Sequence, residues 1–225
     1  MVTAVTSSPT ADELSRSTLL RGLGAEELRE VAPLFRLRRM PKGAIVAVEG
    51  EPLDWFNIVL AGRVGFFWRD EDGRQVDVAF VEPGEDFALQ SLRGEPMLTS
   101  AIALEDLRLA SMRVAEFETL LLARPHIALA YIRSVVGLFR RSVAYRKAFT
   151  MDDVYVRIAR LFTTTAVPTD GVLVVAEPLT QAAIGRRVGA TREMVGKVMR
   201  DLVRGGYLAV HKGRITILRP LPRRW

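Results

Sequence analysis

Leu179-Thr180-Gln181-Ala182-Ala183-Ile184-Gly185-Arg186-Arg187-Val188-Gly189-Ala190-Thr191-Arg192-Glu193-Met194-Val195-Gly196-Lys197-Val198-Met199-Arg200-Asp201-Leu202 decides how this chain is built. Ala183, Ile184 and Val188 make one short apolar stripe at helical spacing, and Met194, Val195, Val198, Met199 and Leu202 make a second. Thr180 stands where a helix N-cap belongs and Gly189 at a sharp turn. Thr191 stands where a second helix starts, its hydroxyl able to accept an otherwise orphaned backbone N–H. Small residues Ala182, Ala183 and Gly185 let two helices approach closely. The spacing predicts a helix-turn-helix. With the second stripe facing inward, Arg192, Glu193, Lys197 and Arg200 stay on the outer side, near enough to the N-terminal end to reach base edges in a major groove. The competing possibility is an amphipathic hairpin whose charges are only solvated. Against it, Gly205-Gly206 closes the second helix, and Tyr207-Leu208-Ala209-Val210, His211-Lys212-Gly213-Arg214 and Ile215-Thr216-Ile217-Leu218 follow as strand, turn and strand. That pattern is a winged helix-turn-helix.

The charge distribution points the same way. From residue 151 onward, 13 basic residues face 6 acidic ones, whereas the first 150 residues hold 19 and 20, so the net charge of +6 comes from the C-terminal third. A polyanionic partner therefore belongs to that third. With no cysteine, disulfides, thiolate zinc sites and cysteine-ligated iron–sulfur clusters are excluded, and with two histidines a multi-histidine metal site is excluded too. The length of 225 residues and 49% hydrophobic content suffice for real cores. No apolar run approaches the roughly 20 residues that span a bilayer, and the first residues lack a signal-peptide pattern, so a cytoplasmic protein without a membrane partner is expected.

Residues 1–13 show no period and are expected to form a flexible arm. A helix is predicted over 25–35. From Pro41, short β-branched and aromatic runs alternate with turn glycines: strands near 44–48, 55–60, 63–68, 76–80, 99–104 and 108–112, with a hairpin turn at Asp70-Glu71-Asp72-Gly73-Arg74 and another at Pro83-Gly84. Such regular spacing predicts a compact antiparallel barrel or jelly roll. A short helix over 114–124 meets Pro125, and a long one follows to about residue 149. Leu129, Ile132, Val136, Phe139 and Val143 are spaced by three and four along it, the seam of a coiled coil, so a homodimer is expected; packing of that stripe on the barrel is the alternative. Asp153 is placed to cap a helix over 154–165, and one short strand is predicted at 172–175. The fold class is α+β: an arm over 1–13, a jelly-roll effector domain over 14–124, a dimerisation helix over 125–150 and a winged helix-turn-helix over 151–225.

In this order, these parts resemble the cyclic-AMP receptor protein and fumarate–nitrate reductase regulator (CRP/FNR) family of bacterial transcription factors. The motif from Leu179 to Leu202 carries most of the likeness, and Pro41-Lys42-Gly43, Glu49-Gly50-Glu51-Pro52, Gly62 and Pro83-Gly84-Glu85 add to it. The resemblance implies a cyclic-nucleotide-binding-like jelly roll and a homodimer on a pseudo-palindromic operator, with RNA polymerase as an expected partner. It implies base contacts from Arg192, Glu193 and Lys197, and phosphate contacts near Thr180 and Gln181. Thr191, Arg200, His211, Lys212 and Arg214 join the phosphate set by their position. An arginine can donate twice to guanine and a glutamate accepts from cytosine, while Lys197 replaces the family's commoner arginine and loses the planar fork.

The resemblance also places an effector pocket at Glu85, Leu89, Gln90, Ser91, Thr99 and Ser100. Leu89 falls near the family's ribose-binding glutamate and Thr99 at its phosphate-binding arginine. The anion's counter-charge is absent there, so cyclic AMP is not expected in the usual mode and the small-molecule effector is unknown. Haem is not expected, since only His126 could serve in the effector half. An enzyme is not expected either, for the chain has no P-loop, no Gly-x-Ser-x-Gly elbow and no cysteine nucleophile. The alternative to a regulator is a small-ligand sensor that acts through protein contacts and associates only weakly with DNA.

Overall fold

The computed structural model describes residues 3–4, 7–87 and 94–222. The chain divides into two compact units, Met1–Trp68 with Val78–Arg140, and Arg69–Asp77 with Arg141–Trp225.

The first unit opens with β1 (Thr3–Ala4), α1 (Ala11–Ser15) and α2 (Ala25–Val31), then a 3-10 turn (Ala32–Leu34). The strands are β2 (Arg36–Met40), β3 (Ile45–Ala47), β4 (Trp55–Ala61), β5 (Val64–Arg69), β6 (Gln75–Val81), β7 (Asp86–Phe87), β8 (Ser100–Ala103) and β9 (Leu107–Arg113), and the helices α3 (Val114–Ala123) and α4 (Pro125–Met151) follow; of these elements, residues 69, 75–77 and 141–151 belong to the second unit. Two sheets form, in the orders β1-β2-β9-β4-β7 and β3-β8-β5-β6. The side chains of Met40, Val59, Val64, Phe66, Phe87, Met97, Ala101 and Leu109 fill the space between them. Because side chains alternate across a strand, the intervening residues Phe56, Ile58, Ala110 and Met112 face the other way. They form a second core with Leu14, Leu20, Phe35, Phe117, Ile127 and Tyr131 from the helical layer. Phe56 stacks on Phe117 at 3.7 Å between centroids, and Tyr131 meets both rings edge-on.

Three differences from the sequence expectations have local causes. Part of the expected arm is helical: Thr10 and Glu13 form a reciprocal capping box, Glu13 also pairs with Arg108, and Leu14 is fully buried. The helix expected over 25–35 ends at Val31 because Pro33 draws the chain into a 3-10 turn. Strand β2 was not foreseen.

The long helix α4 has two apolar faces. Ile127, Ala130, Tyr131 and Val135 pack into the helical-layer core. Leu129, Ile132, Val136, Phe139 and Val143 lie on a different face and are 49–66% exposed. The stripe therefore does not pack on the barrel.

In the second unit, α5 (Val154–Thr165) starts under the cap foreseen for it, Asp153 Oδ1 accepting from Val156 N at 2.8 Å. Strands β10 (Ala166–Thr169) and β11 (Val172–Val175) form a hairpin, then α6 (Gln181–Val188) and α7 (Arg192–Arg204) precede β12 (Leu208–His211) and β13 (Arg214–Ile217). The sheet order is β10-β11-β13-β12, all neighbours antiparallel. Tyr155, Ile158, Phe162, Ile184, Val188, Val195, Met199, Leu202, Ile215 and Ile217 make its core.

Candidate nucleic-acid interface

Helix α6 begins where Thr180 Oγ1 accepts from Ala183 N at 3.1 Å, and α7 where Thr191 Oγ1 accepts from Met194 N at 3.3 Å. Each hydroxyl uses a lone pair for its cap; Thr191 also gives its proton to the Glu193 carboxylate, whereas the Thr180 proton has no acceptor among the described residues. Between the helices, Gly189 adopts φ +64°, a left-handed conformation that closes α6. Gly185 lies against the turn so closely that a Cβ on it would stand 2.6 Å from the carbonyl oxygen of Ala190. Gly185→Ala is expected to lower the stability of this unit by about 1–3 kcal/mol, the usual range for overpacking, read as a lower Tm by circular dichroism; an unchanged Tm would show that the turn is looser than described.

Val195, Gly196, Met199 and Leu202 bury one side of α7. Arg192, Glu193, Lys197 and Arg200 are all exposed on the other side, together with Arg204. Met194, expected to face inward, is exposed too, because it stands one residue round the helix from the buried line of Val195, Met199 and Leu202. Gln181 and Arg200 approach each other over Gly196, where a Cβ would meet Gln181 Oε1 at 3.2 Å and Arg200 Nη1 at 3.6 Å. Glu193 is held below the usual carboxylate range by its own backbone N–H, the Thr191 hydroxyl and the charge of Arg192. It is therefore an ionised acceptor at the positive end of α7. Arg187, by contrast, turns to Glu177 at 2.6 Å.

The wing is a two-residue hairpin. Lys212 at φ +49° and Gly213 at φ +79° make its turn, with His211 and Arg214 paired across it. His211, Lys212 and Arg214 are exposed. Leu179 N donates to Gly213 O at 2.9 Å, which ties the wing turn to the segment that leads into Thr180. The far end of α7 is closed by Arg219, which donates to the carbonyls of Gly205 and Gly206 and lies over Tyr207. Arg219 escaped the sequence reasoning, since nothing local links it to a helix end 15 residues earlier.

The residues expected to form an effector pocket do not converge in the same way. Leu89, Gln90 and Ser91 lie outside the described residues. Glu85 turns back to accept from Glu82 N at 3.0 Å, serving its own turn, and Ser100 Oγ accepts from Glu49 N at 3.1 Å, serving the turn that follows β3. Thr99 is buried, and its hydroxyl has no hydrogen-bond partner among the described residues. His126 lies 3.0 Å from Glu27. Among the described residues, no group of three or more His, Cys, Asp or Glu side chains could hold a metal ion, and no single helix is long and apolar enough to cross a membrane.

A capped helical pair with a basic outward helix and a wing, joined to a two-sheet barrel by a long helix, defines a class: regulators that couple an effector-type domain to a DNA-binding one. Comparison with known proteins narrows it. Residues 37–124 match the cyclic nucleotide-binding domain and residues 156–221 the Crp-like helix-turn-helix domain. The chain is 26% identical over 209 residues to the CRP-like cAMP-activated global transcriptional regulator of Mycobacterium tuberculosis, covering 91% of this chain and 93% of that protein. It is 23% identical over 218 residues to the global nitrogen regulator of Synechococcus elongatus, covering 94% and 96%. Among solved structures, the c-di-GMP responsive global regulator CLP of Xanthomonas campestris superposes with a TM-score of 0.75 at 18% identity, over 86% of this chain and 99% of that one. FixK2 of Bradyrhizobium japonicum does so with a TM-score of 0.68 at 21% identity, over 83% and 93%. The chain belongs to the CRP/FNR family of DNA-binding transcription regulators.

Proposed function

We propose that the protein acts as a homodimer, paired through Leu129, Ile132, Val136, Phe139 and Val143. It sets the two copies of α7 into major grooves about one helical turn apart on a pseudo-palindromic operator. The observation that carries this is the outward set Arg192, Glu193, Lys197 and Arg200 on a helix whose opposite side is buried. Arg192 donates to guanine O6 and N7, Glu193 accepts from cytosine N4, and Lys197 supplies a third base contact. Thr180, Gln181, Thr191, Arg200 and the wing residues His211, Lys212 and Arg214 hold phosphates and set the register. The work is done in the cytoplasm with RNA polymerase as partner.

Cyclic AMP does not act on this barrel in the usual way, because Thr99 offers a buried hydroxyl where the family places a cation, and a phosphate there would lose its charge-assisted bonds. The M. tuberculosis relative is described as cAMP-activated, so a thermal-shift titration with cyclic AMP decides the point. No shift is expected, and a rise of several degrees at micromolar nucleotide would contradict it.

Selection of bound sequences from random DNA tests the function as a whole. Two inverted half-sites, each with a G·C pair, are expected. Binding that depends on salt without sequence preference would instead favour a sensor that works through protein contacts. Arg192→Ala is expected to cost about 1–3 kcal/mol on the selected operator and to relax preference at one base pair per half-site; equal loss on all operator variants would remove Arg192 from base reading.

A further inference from the structure

At one end of the first sheet, three side chains gather that the DNA-binding account does not use. Arg113 lies 4.2 Å and Arg38 5.0 Å from the centre of the Trp55 ring. Trp55 and Arg113 are direct cross-strand partners on β4 and β9. Arg38 comes from β2 opposite Leu109, and Arg36 opposite Ser111, so both project from the same face. Arg36, Arg38 and Arg113 thus stand on one face at one end of the sheet. Asp54 answers Arg113 at 3.2 Å, but no carboxylate among the described residues pairs with Arg38, which is half-buried.

The strand beneath them is fixed. Ser111 Oγ donates to Asn57 Oδ1 at 2.6 Å, and Asn57 Nδ2 donates to Trp55 O at 2.7 Å, both partners being buried. The protonated state of Arg38 is disfavoured by its burial and by the charge of Arg113. A half-buried cation beside a second cation, with an aromatic face holding both, is an arrangement that an oxyanion relieves.

We propose that Arg38, Arg113 and Trp55 form a binding site for a phosphate group carried by a small molecule. The two planar forks donate to its oxygens, and the indole packs against both guanidinium groups. The site uses neither Thr99 nor Ser100 and does not depend on how the protein reads DNA.

Calorimetric titration of the full chain with inorganic pyrophosphate at constant ionic strength tests it. Saturable binding at one site per chain is expected, with Arg38→Gln and Arg113→Gln each weakening it by about tenfold or more, the worth of a charge-assisted bond. Pyrophosphate should raise the Tm of the wild-type protein and not that of Arg38→Gln. That variant should itself melt no lower than wild type, since it removes an unpaired cation. Absence of saturable binding, or an affinity untouched by Arg38→Gln, overturns the proposal. Loss of binding in Arg192→Ala would put the anion on the DNA-binding face and overturn it equally. Citrate serves as the carboxylate arm: if it binds as tightly as pyrophosphate, the assignment to phosphate is wrong.

Discussion

Phe139→Glu is expected to turn the proposed dimer into a monomer and to weaken binding to a two-half-site operator by about 100-fold or more, the usual gain from linking two sites. Phe139 is the most exposed of the five residues in the outward stripe of α4, at 66%. Its replacement touches little of the chain's own core, and the Tm of each unit should stay nearly constant. In a paired helix the same position meets its copy, so two carboxylates would face each other in an apolar seam. The loss should appear only where two half-sites are offered. Affinity for an isolated half-site is expected to be unchanged, because α7 is untouched. Sedimentation velocity checks the first statement and titration of both DNAs the second. A variant that stays dimeric would place the interface elsewhere.

Replacement of Asp86 by Asn is expected to stabilise the first unit at neutral pH by up to about 3 kcal/mol. Asp86 sits on β7 opposite Ile58, facing the helical-layer core, and its Oδ1 is buried without a hydrogen-bond partner among the described residues. Burial, helped by the charge of Glu85, lifts its pKa from 3.8 to about 6. Tyr131 on α4 faces the same place: its hydroxyl is likewise buried without such a partner, and burial and the nearby carboxylate push it upward. The folded state therefore binds the Asp86 proton more tightly than the unfolded one. The stability this confers is full below pH 3.8 and is lost as pH rises through about 6. Wild type should gain stability relative to Asp86→Asn as pH falls from 7.5 to 5, and the difference in Tm between the two should shrink accordingly. A constant difference across that range would mean that Asp86 is already protonated at neutral pH or solvated in the folded state.

How much of this was legible in the sequence depends on whether a feature is local. The two helices of the DNA-binding unit were readable because their apolar stripes, caps and turn glycine all lie within 24 residues. Helix α5 was readable for the same reason, and its ends agree with the sequence expectation. Strand β2, Arg36-Leu37-Arg38-Arg39-Met40, was hidden because its apolar residues are three apart and so point to opposite faces of the sheet, leaving no alternation to see. Strand β10 was hidden by Pro168, which is tolerated because β10 is an edge. The cluster at Trp55 draws on three strands distant in sequence, and only the pairing of β2, β9 and β4 brings it together. Burial of Asp86 has the same origin, since Glu85-Asp86-Phe87 looks like an ordinary turn exit. Of the expected effector residues, position could be carried over from the family but side-chain direction could not, which is why Glu85 proved to serve its own turn and Ser100 the turn at Glu49.

Methylation protection at guanine N7 on a selected operator tests most directly whether paired copies of α7 enter successive major grooves. Two protected guanines are expected, related by the operator's symmetry and about one helical turn apart. Protection at both should disappear with Arg192→Ala while neighbouring phosphate contacts persist. A single protected patch, or two that survive the loss of Arg192, would contradict the account.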